Sequence, residues 1–177
     1  MSRFARPELE RRWLLRGVPP GEPTRIVEIE DRYLPGPGLR LRAMSGADGT
    51  TYKLTQKVPA ADGAPGTLTT IYLSADQAAS LQGLDAYVLR KTRTSLPPYG
   101  VDVFHDALAG LVLAEAEVVP PPEVSVASSL AVLAAIPDPS GTITEVTHDV
   151  TFTGGHLAQM TSADLRAALS PYAPLPS

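Results

Sequence analysis

The sequence predicts an α+β fold, an antiparallel sheet closed into an eight-stranded barrel with a few helices packed outside it. Three observations lead there. Short runs that alternate apolar and polar residues recur between turn signals. They follow one another mostly as hairpins, without the intervening helices of βαβ units. About eight such runs suit a closed barrel, which also leaves no exposed sheet edge. The chain of 177 residues is long enough for one domain with its own core, and no repeat or linker divides it, so residues 1–177 are read as a single domain.

The first strand covers residues 7–14. Successive side chains of a strand point to opposite faces, so Glu8, Glu10 and Arg12 share one face while Leu9, Arg11 and Trp13 take the other. A loop over 17–23 leads to a strand over 24–34 that carries Ile26, Val27, Ile29 and Tyr33. Pro35-Gly36-Pro37-Gly38 is a tight reversal. Leu39-Arg40-Leu41-Arg42 alternates with period two, and Asp48-Gly49 signals a hairpin. The strand over 51–58 places Lys53, Thr55 and Lys57 on one face, and a turn-rich patch over 59–66 precedes a β-branched run over 67–73.

Ser74 and Gln77 form a capping box for a helix through Leu84. Strand character returns over 86–94, with Tyr87, Leu89, Lys91 and Arg93 of one parity, and again over 100–104, which includes Asp102. After a turn at 107–110, the run 111–119 sets Leu111, Leu113, Glu115 and Glu117 on one face. Pro121 and Glu123 are read as opening a helix that runs to Ile136, with Pro137 to Gly141 as its break. A last strand is expected over 144–153, then a turn at Gly154-Gly155 and a terminal helix capped from Thr161.

Composition narrows the function. With no cysteine, there is neither a disulfide framework nor a thiolate ligand or nucleophile. A net charge of -4 argues against a general nucleic-acid binder. The first residues lack the apolar run of a secretory signal and no segment is apolar enough to span a bilayer, so a cytoplasmic protein without a membrane partner is expected.

The charged faces are more informative. Ionisable residues of one parity recur two or, for Lys53/Lys57, four residues apart in strand after strand: Glu8/Glu10/Arg12, Arg40/Arg42, Lys53/Lys57, Lys91/Arg93 and Glu115/Glu117. The intervening residues are often large and apolar. A barrel with the charged face inward, its apolar outer face covered by helices, accounts for both. Seven of the 15 basic residues then converge on the lumen: Arg12, Arg40, Arg42, Lys53, Lys57, Lys91 and Arg93. That much positive charge calls for a highly charged anion, and Arg with Lys is the usual chemistry for phosphate. Glu8, Glu10, Glu115 and Glu117 are hard oxygen ligands suited to Mg²⁺ or Mn²⁺.

In order and spacing these motifs resemble the CYTH superfamily, the triphosphate tunnel metalloenzymes, over about residues 8–157. Glu8-Leu9-Glu10-Arg11-Arg12 is similar to the family's E-x-E-x-K signature, and Arg40-Leu41-Arg42 to its R-x-R strand. Leu54-Thr55-Gln56-Lys57 resembles L-T-x-K, and Leu89-Arg90-Lys91-Thr92-Arg93 the E-K-T-R strand. Val101-Asp102-Val103-Phe104, Gly110-Leu111 and Leu113-Ala114-Glu115-Ala116-Glu117 are similar to D-V-F, G-L and A-E-x-E. Glu145-Val146-Thr147-His148-Asp149 resembles E-V-T-x-D.

The resemblance implies metal binding by Glu8, Glu10, Glu115 and Glu117, and triphosphate binding by Arg12, Arg40, Arg42, Lys57, Lys91 and Arg93. Lys53 joins that set by parity alone. It also implies catalytic roles for Lys91, Lys57 and Tyr33, with Lys91 the best match to a lysine that positions the attacking water. The expected activity is hydrolysis of a short polyphosphate, foremost inorganic triphosphate, by a monomer or homodimer with a small-molecule substrate. An adenylyl cyclase or a nucleoside or thiamine triphosphate enzyme is an alternative, and a binding barrel without turnover is another. The chain departs from the family at Arg12 (lysine there), at Arg90, Leu68 and Thr70 (acids there), and at Thr151-Phe152 (R-Y there). Fewer acids imply a more positive tunnel. His105, His148 and His156 lack metal-ligand spacing. Trp13 is read as core, and Arg3, Arg6, Arg11 and Arg16 as a solvated basic N-terminus.

Overall fold

The N-terminal stretch pairs on two sides. Its first part, β1 (Arg6–Pro7), lies antiparallel to β6 (Thr67–Leu73), and its second, β2 (Glu10–Leu15), lies antiparallel to β9 (Val112–Glu117). Between them Glu8 N–H donates to the Gly66 carbonyl at 2.8 Å, and the Leu9 carbonyl accepts from Val118 N–H at 2.9 Å. This computed structural model describes residues 4–36, 38–59, 65–121 and 123–172.

The other strands are β3 (Arg25–Tyr33), β4 (Leu39–Gly46), β5 (Gly49–Val58), β7 (Tyr87–Leu96), β8 (Tyr99–Phe104) and β10 (Thr142–Glu145). All pairings are antiparallel, and the sheet order is β1-β6-β5-β4-β3-β7-β8-β9-β2-β10. The expected antiparallel α+β fold is present, but the expected count of eight strands is corrected to ten. The first strand is interrupted at Glu8 and Leu9, and β10 adds an edge beyond β2. Among the described residues β1 and β10 do not pair with each other, so the ten-strand order does not itself close through its two end strands.

Among the described residues the α-helices are α1 (Ala75–Gln82), α2 (Val126–Ala134), the single turn α3 (Gly154–Leu157) and α4 (Ser162–Leu169), and all but α3 start at a side-chain cap. Ser74 with Gln77 and Thr161 with Asp164 both form complete capping boxes. The helix expected from Pro121 begins later, because the Ser125 hydroxyl accepts from Ser128 N–H at 3.1 Å and fixes the cap there. The strand expected over 144–153 ends at Glu145. Asp149 accepts from Thr151 N–H at 2.9 Å and turns the chain into a short 3₁₀ segment. Part of the turn expected over 59–66 and Pro37 of the Pro35–Gly38 reversal lie outside the described residues.

Two apolar clusters hold the fold, one on each face. Trp13, Leu15, Val101, Val112, Ala114 and Ala116 pack on one face with Ile136 beyond α2. Trp13 Nε1 donates to Asp138 at 2.8 Å, and the Tyr99 ring meets it edge-on at 5.8 Å. Arg11, expected to be solvated, instead lies 4.6 Å over the Trp13 ring and donates to Glu145 at 2.6 Å and to the Ile136 carbonyl at 2.7 Å. The other cluster joins Leu14, Leu89, Phe104 and Leu113 to Leu157 and Leu165. Those four strand residues share parity with Arg12, Lys91, Asp102 and Glu115. Helices α3 and α4 therefore pack on the charged face, beyond its apolar end, which corrects the expectation that all helices lie outside.

Trp13 has no exposed surface. Trp13→Ala is expected to cost about 3–5 kcal/mol of stability, measured by urea unfolding followed by circular dichroism. A cost under about 1 kcal/mol would remove Trp13 from the core's main supports.

Candidate functional site

Strand register assembles the charged face. Across β2 and β9, Glu10 stands opposite Glu117 and Arg12 opposite Glu115. Across β3 and β4, Asp31 stands opposite Arg42 and Tyr33 opposite Arg40. Across β7 and β8, Arg93 stands opposite Asp102. Directly opposite side chains are close enough to pair, so this register converts single-strand charges into ion pairs.

Arg12, 4 % exposed, pairs with Glu10 and with Glu115 at 3.2 Å. Glu115 also pairs with Arg93, which donates to both Asp102 oxygens at 2.6 Å, and Lys91 Nζ donates to Asp102 at 2.5 Å. Separately, Lys57 pairs with Glu8, and Asp31 takes Arg42 by two hydrogen bonds at 2.6 and 2.7 Å. Arg40 stands 3.6 Å from Asp31. Six cations thus meet five carboxylates. The strongly positive tunnel expected from the sequence is corrected to a nearly balanced one, because Asp31 and Asp102 are buried within it. Arg90 does not add to it: it lies elsewhere, paired with Glu30 at 3.0 Å and Asp106 at 3.3 Å.

Burial and pairing oppose each other at every titratable group here. For Asp31, burial favours the neutral acid, but the Arg42 and Arg40 charges prevail and bring its pKa down to about 2. Burial raises the Glu115 pKa, yet Arg93, Lys91 and Arg12 hold it well below the usual range. Glu10 moves the other way: burial and the nearby Glu115 charge raise it above the usual carboxylate value. Burial lowers Lys91 despite Asp102. Tyr33 is pushed up to about 12, first by burial and then by the Asp31 charge, so its hydroxyl stays a proton donor.

A cavity of about 830 Å³ opens onto part of this face. Of the residues singled out by sequence, it is lined by Glu8, Glu10, Arg12, Tyr33, Arg40 and Lys57. Arg42, Lys91, Arg93 and Glu115 sit behind these in the ion-pair network and do not line it. Lys53 shares the Arg42 face but stands 5.1 Å over the Tyr72 ring, apart from the cavity. Glu117 is exposed and pairs with Arg6 at 3.7 Å. Among the described residues, Arg12 Nη1 and Arg40 Nε are buried N–H groups with no hydrogen-bond acceptor.

Sequence reasoning missed several members. Asp31 is an ionisable residue interrupting the apolar row Val27, Ile29 and Tyr33, and that break in parity was the available signal. His156 and Gln159 line the cavity from the α3 segment, together with Thr147. No spacing rule brings them to β4, since a long-range fold contact places them. Gly154 is required there: a Cβ on it would stand 2.0 Å from the Tyr33 hydroxyl. At Leu68 and Thr70, where acids were absent from the pattern, Leu68 is buried and Thr70 bonds Thr55 at 3.0 Å.

Of the metal ligands implied by the resemblance, no three acidic or histidine side chains gather in an ion-binding cluster among the described residues. Glu8 and Glu10 alone of the four implied glutamates face the cavity. This donor set suits Mg²⁺, which typically takes one or two carboxylates together with substrate phosphates. No helix among the described residues is long and apolar enough to cross a membrane.

No protein-family model and no curated protein matches the chain in sequence. Solved structures do. One described as the hypothetical protein NE1496 is 27 % identical, covering 87 % of this chain and 99 % of that one, with a TM-score of 0.53. A second, described as the inorganic triphosphatase NE1496, is 26 % identical over 86 % of this chain and 95 % of that one, also at 0.53. The PH1819 protein from Pyrococcus horikoshii OT3 shares the fold at 17 % identity, covering 72 % of this chain and 86 % of that one, with a TM-score of 0.51.

The Asp31 carboxylate contributes stability above its unfolded pKa of about 3.8, and that contribution is lost as pH falls toward about 2. The stability difference between wild type and Asp31→Asn, from urea unfolding, is expected to shrink by about 2 kcal/mol from pH 4 to pH 2. A pH-independent difference would rule out an ionised Asp31 in the fold.

Proposed function

We propose that this chain is a CYTH-type protein that hydrolyses short polyphosphates, most readily inorganic triphosphate, with Mg²⁺ or Mn²⁺ as cofactor. The observation that carries this reading is the pair of arginines on the cavity wall. Arg12 and Arg40 each keep a buried N–H without an acceptor, beside Lys57, and buried donors of this kind are costly to leave unpaired. Phosphate oxygens are the acceptors that fit such a group. The likeness to the inorganic triphosphatase NE1496 favours the same substrate class.

The two-sided pairing of residues 6–15 supports a closed tunnel. Through it β6 and β9 flank the same stretch of chain, so eight strands would form the wall and β10 an appendage. Arg12, Arg40 and Lys57 bind the anion. Arg42, Lys91 and Arg93 stand behind as fixed positive field, each already partnered. Water attacks the terminal phosphorus, one P–O bond forms as the bridging P–O bond breaks, and pyrophosphate leaves with the electron pair. The water proton ends on a phosphate oxygen. Tyr33, kept neutral, donates a hydrogen bond in the cavity, and Lys57 takes the water-positioning role that the resemblance implies for Lys91. Glu8 and Glu10 would hold the metal, which supplies charge neutralisation on the phosphates when bound. An anion that draws Lys57 and Arg12 toward itself also releases these two carboxylates. A cytoplasmic monomer or homodimer acting on a small molecule completes the reading.

A second reading, a polyphosphate-binding protein without turnover, is favoured by the missing acids at Leu68 and Thr70. Both readings are separated by one assay. Purified protein with Mg²⁺ or Mn²⁺ is expected to release phosphate from triphosphate, and Glu10→Ala or a chelator to abolish release. Release no higher than that of Glu10→Ala, across about pH 7 to about pH 10, would overturn the hydrolase; calorimetric binding without release would then favour the second reading.

A further inference from the structure

Arg40 and Arg42 stand on one face of β4 two residues apart, a spacing at which both could meet one phosphate chain. They do not share the cavity. Arg40 lines it and Arg42 does not. What separates them is Asp31, the cross-strand partner of Arg42. The Asp31 carboxylate has no exposed surface and accepts from Arg42 Nε at 2.6 Å and from Nη2 at 2.7 Å. It stands farther from Arg40, at 3.6 Å from Nε, a nitrogen with no hydrogen-bond acceptor among the described residues.

A bidentate, charge-assisted pair is among the strongest interactions a guanidinium makes. Taking one partner out of a buried pair strands a charge, so an incoming anion cannot claim Arg42 without uncovering Asp31. The aspartate is also an internal anion beside the arginine wall, repelling phosphate that reaches past Arg40.

Resting on the polyphosphate reading above, we propose that Asp31 is a specificity-determining residue: by committing Arg42, it ends the row of cations open to the cavity at Arg40 and limits the length of phosphate chain the site rewards. The open row is then Arg12, Arg40 and Lys57. Phosphate beyond what these three can meet adds charge without a new partner.

A merely structural Asp31 makes the opposite prediction. Its loss would weaken the fold and all anion binding alike, whereas the proposal has Asp31→Asn improving affinity for the longer chain. The test is calorimetric binding of pyrophosphate, triphosphate and tetraphosphate to wild type, Asp31→Asn, and the neutral pair Asp31→Asn/Arg42→Gln. Wild type is expected to bind triphosphate more tightly than pyrophosphate, with tetraphosphate within about threefold of triphosphate. In Asp31→Asn the preference for tetraphosphate over triphosphate is expected to grow by about tenfold, as Arg42 becomes available. In the double variant it is expected to return to the wild-type ratio.

A wild-type affinity that rises about tenfold or more from triphosphate to tetraphosphate overturns the proposal. So does an unchanged ratio in Asp31→Asn, or a gain that survives removal of Arg42. If circular dichroism finds Asp31→Asn unfolded, the wild-type chain-length series decides alone. Absence of binding to any of the three by wild type removes the polyphosphate reading itself, and this inference with it; binding with the wrong length dependence removes only the inference.

Discussion

Burying cations is costly unless each finds a carboxylate, and that constraint shapes the interior of this protein. Arg12, Arg42 and Lys91 are all less than a tenth exposed. Each is held by an acid from a neighbouring strand: Glu115 on β9, Asp31 on β3 and Asp102 on β8. The pairs fix register as well as charge, since a one-residue slip of β3 against β4 would turn Asp31 away from Arg42 and leave both buried without partners. The same constraint separates structure from binding. Arg42, Lys91 and Arg93 are held in the wall, whereas Arg12, Arg40 and Lys57 line the cavity.

Parity was the legible part of this arrangement. Alternation fixed which side chains share a face, and Glu8, Glu10, Arg12, Arg40 and Lys57 do line one cavity. Depth along a strand was not legible, because period two says nothing about where a strand leaves the site. Lys53 lies on the same face as Lys57 but beyond the cavity, over Tyr72, and Glu117 lies at the open end beside Arg6. Nor could the sequence supply Asp31 as a partner, since its significance depends on β3 lying against β4 in one particular register. His156 is a purely tertiary arrival, brought in by a helical turn that follows the last strand.

The two faces of β2 show how one short strand serves both roles. Trp13 points to the apolar face, where Asp138 accepts its N–H and Arg11 covers its ring. Arg12, the next residue, points to the charged face. The fixed packing of Trp13 therefore sets the height at which Arg12 meets Glu115, and the outer Arg11–Glu145 pair at 2.6 Å ties β10 down on the same strand. Rigid apolar packing on one side positions the ionic chemistry on the other.

Arg12 is also where this chain departs from the CYTH signature that its first strand resembles, which has lysine there. A lysine ammonium is a compact point charge on a flexible stem. A guanidinium is a planar fork, and here its Nη2 serves Glu10, its Nε serves Glu115, and Nη1 is left over. The two acids come from different strands, so the fork holds β2 and β9 together while still presenting one N–H to a further acceptor. Lysine in this place could satisfy the charge, but its rotatable donors would not be held in a fixed plane across both acids. The substitution therefore retains a cation at this position and adds a geometric brace, with the remaining donor on a side chain that lines the cavity.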